Sequence, residues 1–166
     1  MYEVTESDPL NEVNVLVEKA LDPLVKKGYI NAANKKYLVV SKPRLGKFYL
    51  LPKIHKGLEN VPGRPVISNC GTATERVSEF LDFHIQPLVS NVPSNIKDTS
   101  DFLQKLENLG HIPSTAILFT IDVIGLYPHI PHGEELEALL RAFTKAECEL
   151  PVEDLVSLAR LVLENN

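Results

Sequence analysis

The run Ile117-Leu-Phe-Thr-Ile-Asp-Val-Ile-Gly-Leu-Tyr127 constrains this chain more than any other stretch. Apolar residues without helical spacing over residues 116–123 read as a buried strand, and a buried strand needs other elements to cover it. This one ends on a carboxylate, Asp122, with the ring of Tyr127 five residues later. It can therefore bring one fixed negative charge, backbone amides and a flat aromatic surface to a single point. Upstream lies a segment of opposite charge, residues 35–64, containing Tyr49-Leu-Leu-Pro-Lys-Ile-His-Lys56 and Gly63-Arg-Pro-Val-Ile67.

The net charge of −5 argues at first against a nucleic-acid partner, since neutralising phosphates supplies most of the affinity in such complexes. Its distribution reverses that reading. Residues 35–64 hold eight basic side chains (Lys35, Lys36, Lys42, Arg44, Lys47, Lys53, Lys56, Arg64) against one acid, Glu59. That window carries +7 and the rest of the chain −12. A solvated basic face is the plain explanation of such a run. The interleaved Tyr37, Phe48, Tyr49 and His55 favour a surface on which bases or nucleotides stack.

At 166 residues, 44% hydrophobic and 23% charged, the chain can bury a core, which makes disorder a poor description. No apolar run approaches the roughly 20 residues of a membrane span, and the acidic opening is unlike a secretory signal, so the expected setting is intracellular, nucleus or cytoplasm. Cys70 and Cys148 form no CxxC pair and read as reduced, packed thiols.

Periodicity supplies the elements. Val13, Leu16, Val17, Ala20, Leu21 and Leu24 place an amphipathic helix over about residues 10–27, stopped by Gly28, within an N-terminal segment 1–28. Asn31 caps a short second helix. Strands at 47–51 and 64–68 form a hairpin with a basic loop. Further helices are expected at about 75–89 behind Thr74, from Asp98 or Thr99 to Gly110, at 133–146 and at 151–163. Pro87 should trim or kink the end of the first of these. Helices, hairpin, helices, one strand, helices is an α+β order with segregated elements.

The Asp122 carboxylate can be a turn former or cap, or an oxygen ligand for a divalent ion whose shell substrate phosphates and water complete. Two-ion phosphoryl transfer takes more than one carboxylate, so Asp122 alone is part of such an apparatus. Tyr127 can be a core ring or a ring packed against a nucleotide sugar. Arg64 can be a surface ion-pair partner or a fork gripping phosphate oxygens, held by Pro65 beside it. Lys53 and Lys56 add point charges. His129, His132, Glu134 and Glu135 lie close together without HExxH spacing, so His132 reads as a helix start and not as a zinc ligand.

Six segments, in order, extend this reading: Phe48-Tyr-Leu-Leu-Pro-Lys-Ile-His-Lys56, Gly63-Arg-Pro-Val-Ile-Ser68, Thr74-Glu-Arg-Val-Ser-Glu-Phe-Leu-Asp82, Gln86-Pro-Leu88, Ile96-Lys-Asp-Thr-Ser-Asp-Phe-Leu103 and Thr120-Ile-Asp-Val-Ile-Gly-Leu-Tyr-Pro-His-Ile-Pro-His132. Together they closely resemble the reverse transcriptase of Penelope-like retroelements, from about residue 29 to residue 166. The resemblance implies a right-hand polymerase fold, with fingers over about 29–110, the start of the palm over about 111–166, and residues 116–123 as a buried palm strand. It implies an RNA template, a DNA primer and deoxynucleotide triphosphates as partners. Arg64 becomes the triphosphate contact, with Lys53 and Lys56 as helpers. Asp122 becomes the first Mg²⁺-binding aspartate, the Val123 carbonyl a second ligand, and Tyr127 the ring beneath the deoxyribose that rejects a 2′-hydroxyl.

This chain departs from the family pattern at Ile124-Gly125 and Pro128-His129. The family's template-grip motif and paired-aspartate hairpin do not occur before Asn166. The expectation is thus a truncated reverse transcriptase domain, inactive alone for want of a second carboxylate motif; the alternative is a non-catalytic RNA- or nucleotide-binding module.

Overall fold

The computed structural model describes residues 9–54, 61–123, 126 and 130–165. Helix α1 (Leu10–Lys26) forms where Val17, Leu21 and Leu24 recur on one face, and all three are buried. It ends in a Schellman turn: Tyr29 N–H donates to the Leu24 carbonyl at 2.9 Å and Gly28 N–H to Val25 at 3.0 Å. Gly28 takes φ +79°, the left-handed conformation that this turn demands. Helix α2 (Ala32–Leu38) follows, with the Asn31 side chain accepting from Asn34 N–H at 2.8 Å.

Strands β1 (Lys47–Pro52) and β2 (Gly63–Ser68) then pair antiparallel, Lys47 opposite Ser68 and Pro52 opposite Gly63. After them come α3 (Glu75–Ser90), α4 (Thr99–Asn108), α5 (His132–Lys145) and α6 (Val152–Glu164). The fold is α+β, helix-rich, with one two-stranded antiparallel sheet among the described residues.

Helix α6 is the centre of the core. Its Leu155, Leu158, Ala159 and Val162 are buried, and α1, α3 and α5 all pack against it. Leu136 and Phe143 of α5, two helical turns apart, complete the cluster with Val77 and Leu81 of α3. Helix α2 bridges α1 and α3. Two ion pairs tie these ends together: Lys27 to Asp154 at 2.7 Å and Lys35 to Asp22 at 2.7 Å. Asp154 lies in the first turn of α6, where a negative charge also complements the helix dipole.

Three parts lie outside this core. Helix α4 is capped by Asp98, which accepts from Asp101 N–H at 2.9 Å, yet it buries no residue. The hairpin packs strand on strand, with no helix making substantial contact with it. Its base is held by Arg44, whose backbone N–H donates to the Gly71 carbonyl at 2.9 Å and whose Nε donates to Cys70 at 2.7 Å.

The third part corrects the opening expectation. Residues 116–123 form neither strand nor helix, and all are exposed. Leu118 is 89% exposed, Ile117 85% and Ile121 83%. A strand gains burial and backbone hydrogen bonds only from neighbours in a sheet. The one sheet among the described residues is the hairpin, and it pairs with itself. Two smaller expectations also change. Thr74 does not cap α3 through its side chain; its buried hydroxyl lies 3.3 Å from that of Thr72, while Glu75 accepts from Gly71 N–H at 2.9 Å. Cys70 is exposed and not packed, while Cys148 is half-buried.

Candidate nucleic-acid interface

Residues paired across an antiparallel ladder share a face, and faces alternate along each strand. Leu51 pairs with Arg64, Tyr49 with Val66 and Lys47 with Ser68. Lys53 continues the ladder by one residue, donating its N–H to the Pro62 carbonyl at 2.9 Å. Lys47, Tyr49, Lys53 and Arg64 therefore lie on one face of the hairpin. The opposite face carries Phe48, Leu50, Pro65 and Ile67. The register thus gathers the hairpin's cations and Tyr49 on one face, together with Leu51 and Val66, opposite a face of apolar residues alone.

Of the eight basic residues in the 35–64 window, Lys35 is neutralised by Asp22 and Arg44 is spent on the hairpin base. The Lys35 ammonium holds the Asp22 carboxyl below its ordinary value through their hydrogen bond. Lys36, Lys42, Lys47, Lys53 and Arg64 have no carboxylate partner among the described residues. Lys56 and His55 lie outside the described residues.

The expected acidic half is not assembled in the same way. Asp122 stands exposed in the irregular run, and Val123 beside it is 58% exposed. Tyr127 lies outside the described residues, as do Ile124, Gly125, Pro128 and His129. Neither of the two cavities described below is lined by Arg64 or Asp122. No group of three or more His, Cys, Asp or Glu side chains able to hold a metal occurs among the described residues. One exposed carboxylate does not fit a Mg²⁺ pair, which takes several oxygen ligands from more than one carboxylate, so no catalytic step follows from this arrangement.

A feature that sequence reading missed lies between α2 and α3. The Arg76 guanidinium stacks over the Tyr37 ring at 4.1 Å from its centroid and donates to the Tyr37 carbonyl at 3.3 Å. These two residues border a cavity of about 320 Å³ with Asn34, Leu38, Glu79 and Phe80. Tyr37 stands out in sequence as an aromatic among cations, but nothing local marks Arg76, 39 positions away. A second cavity of about 560 Å³, between α3 and α5, is lined mainly by apolar groups such as Leu88, Val89, Ile130 and Leu139.

No described helix is long and apolar enough to cross a membrane. No family model, curated protein or solved structure matches this chain. The described residues form a helix-rich α+β fold with a basic hairpin that no helix substantially contacts.

Proposed function

We propose that this chain is a fingers-and-early-palm portion of an RNA-directed DNA polymerase of the Penelope-like kind, which grips single-stranded RNA and does not polymerise by itself. The polymerase ancestry rests on the six ordered motifs. The RNA grip rests on one observation above all: the strand register gathers Lys47, Tyr49, Lys53 and Arg64 on a single face of a projecting hairpin. Cations there meet backbone phosphates, and the ring of Tyr49, 39% exposed, offers a stacking surface that tolerates any base. The expectation of no polymerisation rests on Asp122 belonging to no group of three or more His, Cys, Asp or Glu able to hold a metal among the described residues. The second reading, a binding module with no catalytic role, draws on the same hairpin face without the polymerase ancestry.

Anisotropy titration of a labelled single-stranded RNA tests the grip. Three phosphate contacts give a slope of log affinity against log salt of about −2. A salt-independent signal, or no binding, removes the proposal. Primer extension with Mg²⁺ and all four deoxynucleotides is expected to yield no product. Template-dependent extension would contradict the claim that the chain does not polymerise alone.

A further inference from the structure

We propose that the cavity between α2 and α3 is a pocket for one unpaired guanine base. The inference rests on the RNA-binding reading above and adds a base subsite on the helices, separate from the hairpin face. Helices α2 and α3 flank the hairpin in the chain, so the cavity belongs to the elements from which the hairpin springs. Its volume, about 320 Å³, is at the small end for ligand sites and suits a base with part of its sugar.

The lining is chemically selective. Arg76 already stacks on Tyr37, which is 59% exposed, and a planar guanidinium is a platform on which a base can stack in turn. Phe80 also lines it, its ring edge-on to His84 with centroids 4.8 Å apart. Glu79 lines the cavity with a carboxylate that has no hydrogen-bond or ion-pair partner among the described residues.

A carboxylate only accepts hydrogen bonds, through two oxygens side by side. Guanine alone presents two adjacent N–H donors on its pairing edge, N1–H and the exocyclic amine. Adenine and cytosine each present one donor beside an acceptor, and uracil one donor between two acceptors. Glu79 therefore matches guanine in two bonds and opposes the other bases in at least one. Asn34 supplies a donor for the guanine O6 or N7 acceptor, while Arg76 offers its face to the base.

The test is ¹H–¹⁵N correlation spectroscopy of the whole chain titrated separately with GMP, AMP, CMP and UMP. GMP is expected to shift the amides of residues 37, 76, 79 and 80, with roughly ten-fold tighter binding than AMP. Glu79→Gln, which swaps one acceptor for a donor on an exposed side chain, should bring the GMP and AMP affinities together. Tyr37→Ala should weaken all four nucleotides. Equal affinities for all four, retained GMP preference in Glu79→Gln, or shifts elsewhere would overturn the proposal; the spectrum itself reports whether each variant is folded. RNA binding by anisotropy without GMP preference defeats the pocket alone. GMP preference without salt-dependent RNA binding defeats the hairpin reading alone.

Discussion

The helical core and the parts around it are built from similar residues and treat them oppositely. In α6, Leu155, Leu158 and Val162 are buried; in residues 116–123, Leu118, Phe119 and Ile121 stand in solvent. The difference lies in where each element finds its partners. An amphipathic helix satisfies its own backbone and needs only a neighbour for one stripe, which α1, α3 and α5 provide for α6. A strand needs another strand for its backbone and a layer for its side chains. Stability therefore resides in the helices, whereas the charges that can meet a ligand project on the hairpin.

The sharpest way to break this contrast is to truncate one large side chain in each region. Phe143→Ala, at a fully buried position, should cost about 3–5 kcal/mol in urea unfolding. Phe119→Ala, at a site 73% exposed, should change stability by less than about 0.5 kcal/mol. Comparable costs at the two sites would mean that residues 116–123 are packed in solution.

The joint between the regions comes next. Gly71 has φ +79°, and a Cβ there would lie 2.6 Å from Arg44 Nε. Gly71→Ala should cost about 1–3 kcal/mol, and adding Arg44→Ala should relieve the steric part of that loss but not the conformational part. Fully additive effects would show that the clamp on the hairpin base is not formed. On the hairpin itself, Lys53→Ala with Arg64→Ala should lower the salt slope of RNA binding by about 1.4 while stability stays within about 0.5 kcal/mol.

The smallest effect is one of pH, at the half-buried His84 beside the core. Burial lowers the His84 pKa below its ordinary 6.5, while the Glu149 charge pulls the other way. The unfolded chain then takes up the proton first, so the stability from neutral His84 is complete above about pH 6.5 and declines as pH falls toward the depressed folded value. His84→Gln should flatten stability in that window, as followed by thermal melts. An unchanged pH profile would show that His84 is solvated. The lowered Asp22 and Asp101 carboxyls, held by Lys35 and Lys105, keep their contribution above their ordinary 3.8 and lose it as pH falls below that.

The helices were legible because their signals are local. The spacing of Val17, Leu21 and Leu24, the Asn31 and Asp98 caps, and Gly28 and Gly110 at positive φ each act within one or two turns. Strand pairing was legible too, but the common face of Lys53 and Arg64 was not, because Lys53 read as loop and its place follows from the ladder register. Burial of 116–123 was not, because apolar composition states only a need for cover and says nothing about whether the fold supplies it. Pro23 lies inside α1 without ending it, again because Leu21 and Leu24 are held by tertiary packing. The stack of Arg76 on Tyr37 depends on how α3 returns against α2, which no local pattern encodes. For Asp122 the carboxylate was readable and the surroundings were not.

Hydrogen exchange with and without single-stranded RNA tests the division most directly. Amides of α1, α3, α5 and α6 should be protected in both states, those of residues 116–123 should exchange quickly in both, and RNA should add protection at β1 and β2. Protection appearing instead on α5 and α6, with the hairpin unchanged, would contradict the account.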